Sequence, residues 1–252
     1  MKRRLLVIGI GAGDPDHLTV QAIKAMNRAQ VFFIPEKGAE KDGLARIRRE
    51  ICEQFIENDT YRLVPFAMPV RRAAGDSYGA AVDDWHAAMA GIYGRLLAHE
   101  LDEDRVGAFL VWGDPMLYDS TLRILDRLKS QGGLDLAVEV VPGITAIQAL
   151  VARHGIPLNA IGEPVLVTTG RQLRDGFPRD ADSAVVMLDN GETLRAVAED
   201  CDIWWGANLG LPEEMLVSGR LRDVVDRIEA NRKETREKQG WVMDTYLLRR
   251  RK

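Results

Sequence analysis

The chain has 252 residues, 46% of them apolar and 29% charged, with a formal net charge of −4 and a sequence pI near 5.7. That length suits one large domain or two small ones, and the apolar share supports a packed core rather than disorder. The acidic balance argues against a dedicated nucleic-acid binder, and no stretch reaches the roughly 18 apolar residues of a membrane span.

The N-terminal Lys2-Arg3-Arg4 is followed by the apolar run Leu5 to Ile10, which is too short for a signal peptide and gives way to glycines and aspartates. Leu5-Leu6-Val7-Ile8 reads as a buried parallel strand. Thr19 to Ala29 reads as a helix, with Val20, Ile23 and Met26 on one face. Val31 to Ile34 is a second strand, stopped by Pro35, and the charged stretch 36–43 is an exposed loop. Leu44, Ile47, Ile51 and Phe55 recur at helical spacing. Tyr61 to Phe66 is a third strand, and Met68 to Tyr78 a long loop. Trp85, Met89, Ile92 and Leu96 mark another helix, and Val106 to Trp112 a fourth strand. This β-α-β-α-β-α-β order implies a parallel α/β sheet.

The pattern restarts after Asp114-Pro115. Ser120 to Leu128 and Thr145 to Arg153 are helical, with a strand at Val138 to Val141 between them. Further strands are expected at Pro164 to Thr169, Ala184 to Leu188 and Ile203 to Trp205. An amphipathic helix follows over Leu221 to Ile228, then a final edge strand at Val242 to Leu248. At least one of Trp204 and Trp205 is expected in the core. The restart suggests two α/β domains, 1–118 and 119–252.

Three loops carry glycine at the end of a strand. The first is Gly9-Ile10-Gly11-Ala12-Gly13-Asp14-Pro15. Glycine there allows a sharp turn and a close backbone approach to a ligand. A dinucleotide fingerprint would need glycine at its sixth position, where this chain has Asp14. Only Glu36, an acid at the end of the second strand, favours a nicotinamide-dependent oxidoreductase. The second loop is Trp112-Gly113-Asp114-Pro115-Met116-Leu117-Tyr118, at the strand edge where open α/β sheets bind ligands. Asp114 could accept from an ammonium or hydroxyl, or simply shape a turn. The third is Val141-Pro142-Gly143-Ile144-Thr145-Ala146, where Thr145 could cap a helix, bind a ligand, or both.

Together, in this order, the three loops resemble those of the tetrapyrrole (corrin and porphyrin) methylase family. That family's first loop reads G-x-G-P-G-D-P followed by L-T, against Gly9 to Pro15 and Leu18-Thr19 here, with Ala12 where the family usually has proline. Gly113-Asp114-Pro115 and Pro142 to Ala146 match its second and third loops, and the resemblance spans essentially the whole chain. The runs Trp112 to Arg123, Ala152 to Asn159, Gly162-Glu163-Pro164 and Thr168 to Arg171 narrow it to one branch. That branch couples methylation of precorrin-5 at C-1 to release of an acetyl group as acetate. The alternative is another member, such as one acting at C-20 of precorrin-2.

The resemblance implies two α/β domains with a ligand cleft between them and S-adenosylmethionine (SAM) folded in it. The implied SAM contacts are Ala12, Trp112, Gly113, Asp114, Leu117, Thr145 and Ala146. Leu188 and Leu209 match two further contact places of the second domain, where the family often has Met and Gly. It also implies a tetrapyrrole substrate, a cytoplasmic homodimer, and neither nucleic-acid nor membrane partners. Cys52 and Cys201 lie outside any metal-ligand spacing, which fits a reduced compartment and no metal. The sulfonium already activates the methyl group, so alignment and a dry site matter more than a protein nucleophile. Acetate release needs water and a base, for which Asp14, His17 and Asp119 are candidates. Arg71, Arg72, Arg153 and Arg171 are candidates for the macrocycle's carboxylates. His86, beside Trp85, could face solvent or core, and neither His99 nor His154 has a partner in ligand spacing.

Overall fold

The computed structural model describes residues 2–36, 42–70, 78–132, 134–177, 180–197 and 200–251. The chain forms two compact units, Met1–Gly11 with Pro15–Ile144, and Ala12–Asp14 with Thr145–Lys252.

The first unit runs β1 (Arg3–Gly9), α1 (Val20–Met26), β2 (Val31–Glu36), α2 (Asp42–Phe55), β3 (Arg62–Ala67), α3 (Tyr78–Glu100), β4 (Val106–Val111), α4 (Thr121–Ser130) and β5 (Leu136–Val141). The strands order β3-β2-β4-β1-β5, and every pairing is parallel. Parallel sheets are covered on both faces, which explains the unbroken apolar runs of β1, β2 and β4. Leu5, Val7, Val31, Phe33 and Phe109 pack with Met89, Tyr93 and Leu97 of α3 and with Ile124, Leu125 and Leu128 of α4. Alternation along a strand sends Leu6, Ile8, Phe32 and Ile34 to the other face, where they too are buried. α1 packs on β1 and α2 on β2. Thr19 caps α1, its hydroxyl accepting the Ala22 N–H at 3.0 Å.

Pro35 does not stop β2. The strand continues to Glu36 and pairs Pro35 with Phe66, while its pairing with β4 covers only Val31 to Phe33. Beyond Phe33 the strand has one partner, so a missing N–H disturbs no second ladder. The units also divide after Ile144 rather than near residue 118. The reason is that β5 pairs with β1 from Arg3↔Leu136 to Ile8↔Val141 and completes the first sheet. The expected loop from Met68 to Tyr78 lies largely outside the described residues, as does most of 36–43.

The second unit runs α5 (Ala146–His154), β6 (Val165–Thr169), α6 (Gly170–Leu173), β7 (Ser183–Met187), β8 (Cys201–Ala207), β9 (Met215–Arg220), α7 (Leu221–Gln239) and β10 (Asp244–Arg250). Its sheet orders β6-β7-β10-β8-β9, parallel only between β6 and β7. β10 is therefore central, not an edge. Its consecutive Tyr246, Leu247 and Leu248 are all fully buried, as a strand covered on both faces requires. The edges are β6 and β9, and the periodicity did not mark β9. Trp205 is fully buried in the core of this unit, beside Ile203, Tyr246 and Leu248.

Candidate functional site

β4, β1 and β5 are neighbours in a parallel sheet, so their carboxyl ends bring the three glycine loops side by side. Backbone meets backbone there. Gly11 donates to Gly113 O at 3.3 Å, and Gly113 donates to Gly11 O at 2.7 Å. A β-carbon on Gly9 would lie 2.6 Å from Gly143 N, and one on Gly143 would overlap Gly113 O. Gly113 also sits at φ +67°, a left-handed conformation that side chains disfavour. The three loops thus form one platform of main-chain groups.

Asp114 locks this platform. It is buried, one carboxylate oxygen accepts the Met116 N–H at 2.8 Å, and the other accepts the Gly143 N–H at 2.8 Å. Its side chain is committed to joining the second loop to the third, so a ligand here would meet mainly backbone. Leu117 closes the turn by donating to Asp114 O at 3.3 Å. Trp112 and Leu117 are half-buried, and Tyr118, exposed, takes φ +52°.

In the second unit, Thr145 and Gln148 make a capping box at the start of α5, and the Thr145 hydroxyl donates to Gln148 Oε1. The cap is thus the role its hydrogen bonds display. Ala12 to Asp14 pack within this unit. A β-carbon on Gly13 would lie 2.6 Å from Leu209 O, and one on Gly210 would lie 2.5 Å from Asp14 N. Ala12 and Leu209 are buried, and Ala146 is half-buried. Leu188 follows β7 at φ +54° and is 66% exposed, and Asn208 follows β8 at φ +50°. Asn208 is held there by its amide, which accepts the Met243 N–H at 3.3 Å and donates to Gln239 at 3.0 Å. A leucine in this conformation is strained, and such strain concentrates at functional positions.

Beside Leu188 lies a buried polar network that sequence reasoning missed. The Asp189 carboxylate accepts from Tyr246 Oη at 3.0 Å and Thr193 Oγ1 at 2.7 Å. Asp244 accepts from Trp205 Nε1 at 2.8 Å and pairs with the buried Arg232. Burial pushes the Asp244 carboxyl up, against the pull of Arg232 and Trp205. No short-range pattern joins residues this far apart.

The other candidates separate. Asp119 accepts the Thr121 N–H at 2.7 Å at the start of α4, and its charge faces Arg48. Arg48 donates to Leu110 O at 2.9 Å and to Leu44 O at 2.9 Å, and burial lowers its pKa to about 10. His17 packs against Gly11, and its Nδ1 is buried with no hydrogen bond among the described residues. Glu36 pairs with Arg49 at 2.6 Å, which occupies the acid a ribose would need. Arg153 pairs with Glu214 at 2.6 Å, Arg171 is exposed on α6, and Arg71 and Arg72 lie outside the described residues. His154 Nε2 is 3.0 Å from Trp205 O and ties α5 to β8. His99 ends α3. His86, open from sequence, is half-buried with Nε2 3.0 Å from Ser120 Oγ. Among the described residues no group of three or more His, Cys, Asp or Glu side chains could hold a metal ion. No described helix is long and apolar enough to cross a membrane.

The family model of the tetrapyrrole (corrin/porphyrin) methylases matches residues 4–225, and the chain belongs to that SAM-using enzyme family. Over 249 residues it is 53% identical to the precorrin-6A synthase (deacetylating) of Sinorhizobium sp, covering 98% of this chain and 95% of the relative. A crystal structure of a cobalamin synthesis related protein (CobF) from Corynebacterium diphtheriae superposes with a TM-score of 0.85 at 36% identity, covering 99% of both chains. The uroporphyrin-III C-methyltransferase of Thermus thermophilus, complexed with S-adenosylhomocysteine, shares the fold at TM-score 0.59 and 21% identity, covering 97% of this chain and 91% of that one.

Proposed function

We infer that the chain methylates precorrin-5 at C-1 with SAM and releases acetate to give precorrin-6A. The observation that carries this reading is 53% identity spread over 98% of the chain. Such a match includes the three loops and the runs around Tyr118 and His154.

SAM supplies an electrophilic methyl group on a sulfonium. What the chain must add is alignment. In this reading the main chain of Gly113 and the side chains of Trp112 and Leu117 seat the donor, with Asp114 fixing the loop that carries them. Ala12, Thr145, Ala146, Leu188 and Leu209 complete the proposed contacts. The fit rests on chemistry: adenine and thioether need apolar surface, and the amino-acid end needs polar backbone. Holding donor and acceptor carbon in line removes much of the entropic barrier, and excluding water favours a transition state of dispersed charge.

A cytoplasmic homodimer belongs to the same reading. It is supported by two free, buried cysteines and by the edge strand β6, which exposes Leu166 and Val167. Sedimentation at two concentrations tests the dimer. For the activity, SAM with a labelled methyl and precorrin-5 should yield labelled corrin and acetate in equal amounts. A folded protein that gives neither product and no thermal shift with S-adenosylhomocysteine would sink the reading.

A further inference from the structure

A second chemical step is built into the first unit. Ser120 is the N-cap of α4, yet its side chain makes no capping bond. The Thr121 N–H is instead accepted by Asp119 at 2.7 Å. That leaves the Ser120 hydroxyl to His86 of α3, whose Nε2 lies 3.0 Å away. Both side chains are half-buried, so solvent and a ligand can reach them. The pair stands at the end of the second loop, six positions beyond Asp114 and two beyond the strained Tyr118.

The surroundings favour the neutral imidazole. Burial lowers the His86 pKa most, and Arg123 and Arg127 lower it further. Asp83 acts in the opposite sense, but its carboxylate is engaged by Arg127 at 2.6 Å. Trp85 flanks the ring, with centroids 5.6 Å apart. A neutral imidazole within hydrogen-bond reach of a hydroxyl is the arrangement that activates a serine.

We propose that Ser120 and His86 form a nucleophile–base pair that removes the acetyl group of the substrate. This rests on the reaction inferred above. His86 Nε2 takes the proton of Ser120 Oγ as Oγ bonds to the acetyl carbonyl carbon. The tetrahedral adduct collapses, and the bond between the acyl carbon and the ring breaks. Its electron pair enters the macrocycle. That pair forms the bond from C-1 to the incoming methyl carbon, as the carbon–sulfur bond breaks onto sulfur. His86 passes its proton to solvent and then takes one from water, whose oxygen attacks the Ser120 acetyl ester. Acetate leaves, and the proton returns to Oγ. Deacetylation thereby generates the carbon nucleophile that methylation consumes.

The test uses the full chain with Ser120→Ala and His86→Gln. Both variants should keep the thermal shift with S-adenosylhomocysteine and the change in visible absorbance when precorrin-5 binds. Both should lose acetate release by about 10²–10⁴-fold, the usual worth of a positioned base. A second arm needs no precorrin. The wild type treated with p-nitrophenyl acetate should carry an acetyl group on Ser120 in peptide mass spectra, and His86→Gln should not. Acetate release by Ser120→Ala at the wild-type rate would overturn the proposal, as would loss of precorrin-5 binding in that variant. Failure of the activity reading itself is distinguishable, because there the wild type would give neither labelled corrin nor acetate.

Discussion

Gly143 and Asp114 show how little freedom the platform leaves. A β-carbon on Gly143 would overlap Gly113 O, which is backbone and cannot swing aside. Gly143→Ala should therefore force the two loops apart, costing roughly 1–3 kcal/mol as overpacking does. S-adenosylhomocysteine binding should weaken with it, and denaturant melts with and without that ligand measure both effects. Asp114→Asn poses a different problem. The carboxylate accepts the N–H groups of Met116 and Gly143, whereas an amide offers one acceptor oxygen and turns a donor toward the other N–H. About 1–3 kcal/mol of stability should be lost, visible in the same melts. These residues were legible in the sequence because glycine and aspartate at strand ends signal special backbone. Their use was not: Asp114 reads equally as a ligand contact or a turn former, and only its two N–H partners show it joining two loops. His86 and Ser120 stand far apart in the chain, and no local pattern joins them.

At the level of elements, the first sheet was readable because its strands are long apolar runs separated by amphipathic helices. The second was harder. β9 has only Met215, Leu216 and Val217 before Ser218 and Gly219, and most of it is partly or fully exposed. An edge strand of that kind carries little periodic signal. β10 was found but misplaced, because a chain terminus suggests an edge while Tyr246-Leu247-Leu248 demands two covered faces. A buried ion pair holds its start. Asp244 at its start pairs with Arg232 of α7, and both side chains are almost fully enclosed. Arg232→Ala would strand a buried carboxylate and should cost about 3–5 kcal/mol, read as a lower midpoint in urea. A midpoint unchanged within error would refute this account of β10.

For the molecule as a whole, motif order and composition sufficed for two α/β units, but the division between them did not follow from the restart of the pattern. Strand β5 lies beyond that restart and still belongs to the first sheet through β1. Only pairing in space reveals this. Residues 12–14 are the converse case, close to the N-terminus yet part of the second unit. Gly13→Val tests that assignment. At φ +150° and with Leu209 O so near, a branched side chain cannot fit. Amide exchange should speed up around 201–220, and protection confined to unchanged values there would count against it.

The placement of β1 also bears on how the protein is made. It precedes both of its partners in the chain and ends inside its sheet, between strands that begin at residues 106 and 136. The following tripeptide waits for partners near residue 209. Until β4 has been made, then, the apolar β1 has no place to pair in its sheet. Domains that fold during translation usually close from the N-terminal side, and non-local pairing is slow. β1 must therefore wait unpaired until residues 106–141 have been made, so the first sheet closes late and through contacts distant in the chain.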